Sequence, residues 1–146
     1  MMPQMIWQTI AAALGTVSFA VLYGVPDKFF RSCGLIGGTG WLLYALLTKS
    51  GWTAAAAAFL ASLTVVFLSR AISVRERCPS TVFIISGIFP LVPGVGVYWT
   101  AYYLVTDQLS EALQSGFDAM KIAVSITLGI TVMLEAPNRW FHFKLN

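Results

Sequence analysis

Five apolar segments, each near the length of a bilayer crossing, constrain this chain more than any other feature. A transmembrane helix needs about 20 mostly apolar residues. Segments approaching that length run over residues 5–25, 32–47, 52–74, 81–105 and 117–134, the second being short. Their apolar runs are continuous, whereas the strands of a membrane barrel alternate apolar and polar residues over about ten positions. They therefore read as helices. Charge is scarce: 10% of the 146 residues are charged and 58% are hydrophobic, where a soluble domain carries roughly 25% charged residues. A soluble globule of this size leaves too much of its area wet to bury so apolar a chain, and the mean hydropathy of +0.77 agrees. No linker, charge run or polar low-complexity tract divides the sequence. The expected fold is all-α: a polytopic transmembrane helical bundle of about five helices, the fourth broken at Pro90–Gly96, forming a single transmembrane domain over residues 1–146.

The placement of basic residues tests the count of five. With five crossings, one side of the membrane receives Lys28, Arg31, Arg70, Arg75, Arg77, Arg139 and Lys144, and the other only Lys49 and Lys121. Such a bias puts the basic side in the cytoplasm, so the C-terminus is expected inside and the N-terminus outside. The basic residues sit singly between apolar stretches and form no stripe with aromatic partners, which argues against nucleic acid as the meaning of the +3 net charge. Residues 1–5 carry no Lys or Arg, unlike a signal peptide, and the first segment reads as a retained helix. Cys33 and Cys78 fit no zinc or CxxC spacing. Both fall toward the cytoplasmic side, where disulfides are rare.

Small residues indicate where helices touch. Gly34 and Gly38 form a GxxxG pair, widened by Gly37 and Gly40, and Ala54 to Ala58 with Ala61 and Ser62 make a second smooth surface. In lipid such surfaces let backbones approach closely. Gly37-Gly38-Thr39-Gly40 is not a phosphate loop, because no Lys follows at the required spacing and no strand precedes it.

The fourth segment holds the most informative stretch, Gly87-Ile88-Phe89-Pro90-Leu91-Val92-Pro93-Gly94-Val95-Gly96. Each proline removes a backbone donor and crowds the carbonyl four residues back, and Gly94 and Gly96 add backbone freedom. A helix broken here, near the bilayer midplane, exposes peptide groups that hydrocarbon cannot satisfy. They must be buried in protein or face a watery cavity. Transporters use such breaks to aim the positive end of a half-helix at an anionic substrate group. The expected substrate contacts are Pro90, Val92, Pro93, Gly94, Val95 and Gly96, with Tyr98 and Tyr102 nearby; the plainer alternative is a kink that only shapes packing.

From Asp107 to Lys121, Leu109, Leu113, Phe117 and Met120 recur at helical spacing among polar residues. This stretch is expected to lie on the outer membrane surface before the chain turns in. Asp118 and Lys121, three apart, read as a paired, solvated helix face, the alternative being an acidic substrate entrance. Arg70 and Glu135 read as snorkelling residues at helix ends. His142, in a terminal Arg-Trp-Phe-His-Phe-Lys run, belongs to an interfacial anchor and not to a metal site.

The run from Arg77 through Pro79, Phe83, Ile88 and Pro90-Leu91-Val92-Pro93-Gly94, followed by a Tyr-rich helix and a long amphipathic turn, resembles the threonine/serine exporter family. It is most similar to the family's small split subunit, which corresponds to the C-terminal membrane half of full-length exporters. The resemblance implies export of small amino acids such as threonine and serine, or of a dicarboxylate such as succinate, across the bacterial cytoplasmic (inner) membrane. It also implies a larger, separately encoded partner subunit. Size points the same way: five helices hardly enclose a path open alternately to two faces, and no internal repeat supplies the second half. A larger subunit or a homo-oligomer would complete it. No nucleotide motif supports ATP use, so a proton gradient is the expected driving force and no cofactor is expected. No nucleophile-base pair or intramembrane carboxylate pair supports an enzyme. The alternative function is a non-transporting scaffold or assembly subunit.

Overall fold

The structure, a computed structural model, describes residues 2–137. All regular structure among them is helical: α1 (Met2–Leu22), α2 (Phe30–Lys49), α3 (Ala54–Glu76), α4 (Thr81–Ile88), α5 (Gly94–Val105) and α6 (Leu109–Glu135), with single 3-10 turns at Asp27–Phe29 and Phe89–Leu91. The terminal anchor with Arg139, His142 and Lys144 lies outside the described residues.

The helices run up and down. Short turns allow nothing else: Gly24 and Gly51 adopt positive φ between α1 and α2 and between α2 and α3, and Thr53 caps α3 by accepting the Ala56 N–H at 3.3 Å. α2 occupies the centre, packed against α1, α3 and α4. The glycines on α2 make this possible. A Cβ on Gly34 would stand 3.1 Å from Val17 of α1, and one on Gly40 would overlap Val65 of α3. Cys33, Ile36, Val65 and Phe83 are fully buried where α2, α3 and α4 meet, and Phe29 closes that end edge-on to Phe83, 5.6 Å between centroids. Buried Thr16, Ser62, Ser69 and Ser86 each return a hydroxyl to a carbonyl of their own helix, so no polar group is stranded at these contacts.

α1, α3 and α6 have the length and apolarity to cross a membrane, and the bent pair α4–α5 passes the same test as one span. α2 is longer than the 16 residues its apolar run marks, at 20 residues, yet too dilute in apolar residues to stand beside the others. It packs on protein through the buried Gly34, Gly37, Gly38 and Gly40, while Leu35, Leu42 and Leu46 on its other side stay exposed.

Two other expectations change. The stretch 107–121 does not lie apart on the surface: α6 is one continuous helix of 27 residues, and its amphipathic first half packs along α5. Gly96 and Gly116 permit this, since added Cβ atoms would stand 3.0 Å from Ala119 and 3.2 Å from Thr100. Arg70 does not simply snorkel. Its Nη1 donates to the carbonyls of Met133, Leu134 and Ala136 at 2.6, 3.3 and 2.9 Å, satisfying carbonyls left open at the C-terminus of α6.

Candidate functional site

The interruption between α4 and α5 is specific in its geometry. Pro90 sits in the first positions of the Phe89–Leu91 turn, where a missing N–H costs little. The break itself falls at Val92-Pro93. A residue before proline is pushed out of the helical region, and Val92 is extended at φ −59°, ψ 131°. Pro93 then stands at the N-terminus of α5, which resumes at Gly94 at 49° to the preceding helix. Eleven residues precede the break, from Thr81 to Leu91, and twelve follow it, from Gly94 to Val105, so it falls near the middle of the span. Phe19 of α1 stacks on Phe89 and braces it.

α5 has no side-chain cap. The Gly94 N–H turns back onto the Val92 carbonyl at 2.7 Å, and the first ladder bond is Val97 N–H to Pro93 at 3.1 Å. The N–H groups of Val95 and Gly96, between these two, have no acceptor among the described residues. They form the positive end of the α5 dipole.

These groups border a cleft of about 590 Å³. Residues 89–96 form one wall. α2 contributes Trp41 and Tyr44, α5 adds Trp99, and α6 supplies Ser115, Asp118, Ala119 and Ile122. Of the residues expected from sequence, the cleft brings together Pro90, Val92, Pro93, Gly94, Val95 and Gly96. Tyr98 and Tyr102 lie outside its lining; with Trp99 and Tyr103 they make an aromatic cluster on α5, rings 5.5 to 5.7 Å apart. Aromatic clusters of this kind suit a membrane interface. A Cβ at Gly94 would meet nothing within 4 Å, so this glycine faces open space.

Trp41, Tyr44, Ser115, Ala119 and Ile122 carry no signal of the site in the sequence, because helix packing alone brings them there; Asp118 shows there only as half of a solvated pair or, alternatively, as an acidic substrate entrance. Trp41 Nε1 is buried with no acceptor, an unmet donor in the cleft wall. Among the described residues, Asp118 is the one charged side chain in the lining. Its Oδ1 accepts from Lys121 Nζ at 3.0 Å. Among the described residues no cluster of His, Cys, Asp and Glu is able to hold a metal ion.

Comparison with known proteins adds the remaining findings. The family described as Threonine/Serine exporter, ThrE, matches residues 8–135. A probable threonine/serine exporter of Mycobacterium tuberculosis is 28% identical over 132 residues, covering 88% of this chain and 25% of that protein. An uncharacterized protein of Haemophilus influenzae is 28% identical over 149 residues, covering 97% of this chain and 49% of that one. The chain thus spans half or less of the length of these relatives. No solved structure matches it.

Proposed function

Since the chain belongs to the threonine/serine exporter family and is a multi-pass membrane protein, we propose that it is one subunit of a secondary transporter exporting a small amino or dicarboxylic acid across the bacterial inner membrane. The observation that carries this reading is the break at Val92-Pro93, whose uncapped Val95 and Gly96 N–H groups border an open cleft near the middle of a membrane span. Such groups in hydrocarbon would be prohibitively unsatisfied, so they call for water or an anionic ligand. A substrate carboxylate meets two donors and the helix dipole there. In this reading the N-terminus is outside. Lys28, Arg31, Arg75 and Arg77, grouped at the turns before α2 and α4, mark the cytoplasmic end.

The counterpart that rocks against this bundle is a larger member of the same family or a second copy of this chain. The curated relatives, of whose length this chain covers 49% and 25%, fit the first arrangement. The driving force is the proton gradient. Efflux from proteoliposomes, measured with and without the larger subunit against threonine, serine and succinate, tests the proposal. Efflux that needs both chains supports it, and no efflux of any of the three in either arrangement ends it. A cysteine scan over residues 88–98 separates carrier from scaffold. A carrier gives water-accessible positions that substrate protects, and a scaffold gives positions that are uniformly inaccessible.

A further inference from the structure

The carrier reading leaves open how the cleft distinguishes an amino acid from a dicarboxylate, and one side chain in it bears on that choice. Among the described residues, Asp118 brings the only formal charge to the lining. It stands beside Ala119, the residue that meets Gly96, so it lies at the level of the break. A carboxylate at such depth on a membrane helix is costly and marks a ligand or ion path by default.

Its pairing leaves it available. Lys121 holds only Oδ1, at 3.0 Å, and both side chains are more than half exposed, at 60% and 54%. Oδ2 has no partner among the described residues. Lys121 does not line the cleft. It faces a neighbouring hollow of about 430 Å³ against Thr53, Ala54 and Ala55 at the start of α3, which Asp118 also lines. Asp118 thus borders both the cleft and the hollow, with Lys121 on one carboxylate oxygen and no partner among the described residues on the other. A single hydrogen bond between two exposed, flexible ions is weak and readily exchanged.

We propose that Asp118 is a specificity-determining residue that binds the ammonium group of a zwitterionic substrate and rejects a dicarboxylate. The proposal rests on the carrier reading for the other pole. With a substrate carboxylate at the first turn of α5, an α-amino acid directs its ammonium to Asp118 Oδ2. A dicarboxylate in that pose sets a second anion against Asp118, and like charges in a partly dehydrated cleft repel.

The test titrates the full chain in lipid nanodiscs, following the tryptophan fluorescence to which Trp41 and Trp99 contribute, with L-threonine, its des-amino analogue 3-hydroxybutyrate, and succinate. Wild type is expected to bind threonine most tightly. Asp118→Asn, which keeps the shape, should weaken threonine by about tenfold or more, the loss of one charge-assisted bond, and leave 3-hydroxybutyrate within about twofold. Lys121→Gln breaks the same ion pair but keeps Asp118 charged, and should retain the threonine preference. Asp118→Asn leaving threonine binding unchanged, or weakening all three ligands equally, overturns the proposal. So does equal damage from the two variants, or a wild type that binds threonine no better than succinate. Binding that follows the expected order without any efflux from proteoliposomes containing the larger subunit sinks the carrier reading and leaves the assignment of Asp118 standing.

Discussion

Replacing Gly94 with leucine separates the site from the scaffold. A Cβ at Gly94 meets no atom within 4 Å, so the new side chain projects into the cleft without displacing a neighbour. Stability should change by no more than about 0.5 kcal/mol, as for an exposed substitution. The leucine covers the Val95 and Gly96 N–H groups. If these hold a carboxylate through two charge-assisted bonds of roughly 1.5–3 kcal/mol each, blocking both removes about 3–6 kcal/mol. That is about a hundredfold to ten-thousandfold in affinity. Gly96→Leu is the control two residues on. Its Cβ would stand 3.0 Å from the Cβ and 3.6 Å from the Cα of Ala119, so α5 must move off α6 at a cost of about 1–3 kcal/mol. Proteoliposome efflux and thermal melting of the purified chain read the two effects. Gly94→Leu should abolish export at unchanged melting temperature, whereas Gly96→Leu should lower both. Wild-type export by Gly94→Leu would refute the placement of substrate at the first turn of α5.

Arg70→Met removes the donor that satisfies three carbonyls at the end of α6; it should cost about 1.5–3 kcal/mol, seen as a lower melting temperature that Arg70→Lys partly restores. Pro93→Ala releases Val92 from the extended conformation that proline imposes, so α4 and α5 should straighten. Spin labels at residues 85 and 102 would then move apart and export would fall; an unchanged distance would mean that Gly94 and Gly96, and not Pro93, hold the break. Cys78 lies in the turn between α3 and α4. Burial first, then the nearby Glu76 carboxylate, raises its thiol above the usual range, so the reactive thiolate is depleted at neutral pH and grows as pH rises. An impermeant maleimide should therefore label Cys78 faster at higher pH, and only in inside-out vesicles; labelling in right-side-out vesicles would reverse the assigned orientation.

The sequence exposes whatever a single helix announces by itself. The apolar runs give four of the five rods directly, and Pro-Leu-Val-Pro-Gly places the fourth rod's interruption within a few residues. Even there the two prolines act differently: α4 ends at Ile88 and passes into a 3-10 turn that accommodates Pro90, and Val92, extended before Pro93, completes the interruption. The extent of α2 is hidden because its glycines lower the apolarity that marks a span. Those same glycines let one side of it pack closely on α1 and α3.

What no single-helix signal carries is the far wall of the cleft. Asp118 and Lys121 are visible as a pair at helical spacing, and on a helix facing water that pair would be ordinary. α6 runs on without a turn because Gly96 and Gly116 let its first half lie close along α5, and this contact carries Asp118 down to the level of the break. The same carboxylate changes meaning with depth: at the surface it is solvated and contributes little, whereas beside uncapped peptide groups within a membrane span it is costly to keep and demands a compensating charge. Lys121 compensates one of its oxygens from the neighbouring hollow. The unpaired oxygen is what makes a cationic ligand, and not a further protein contact, the fitting complement of this cleft.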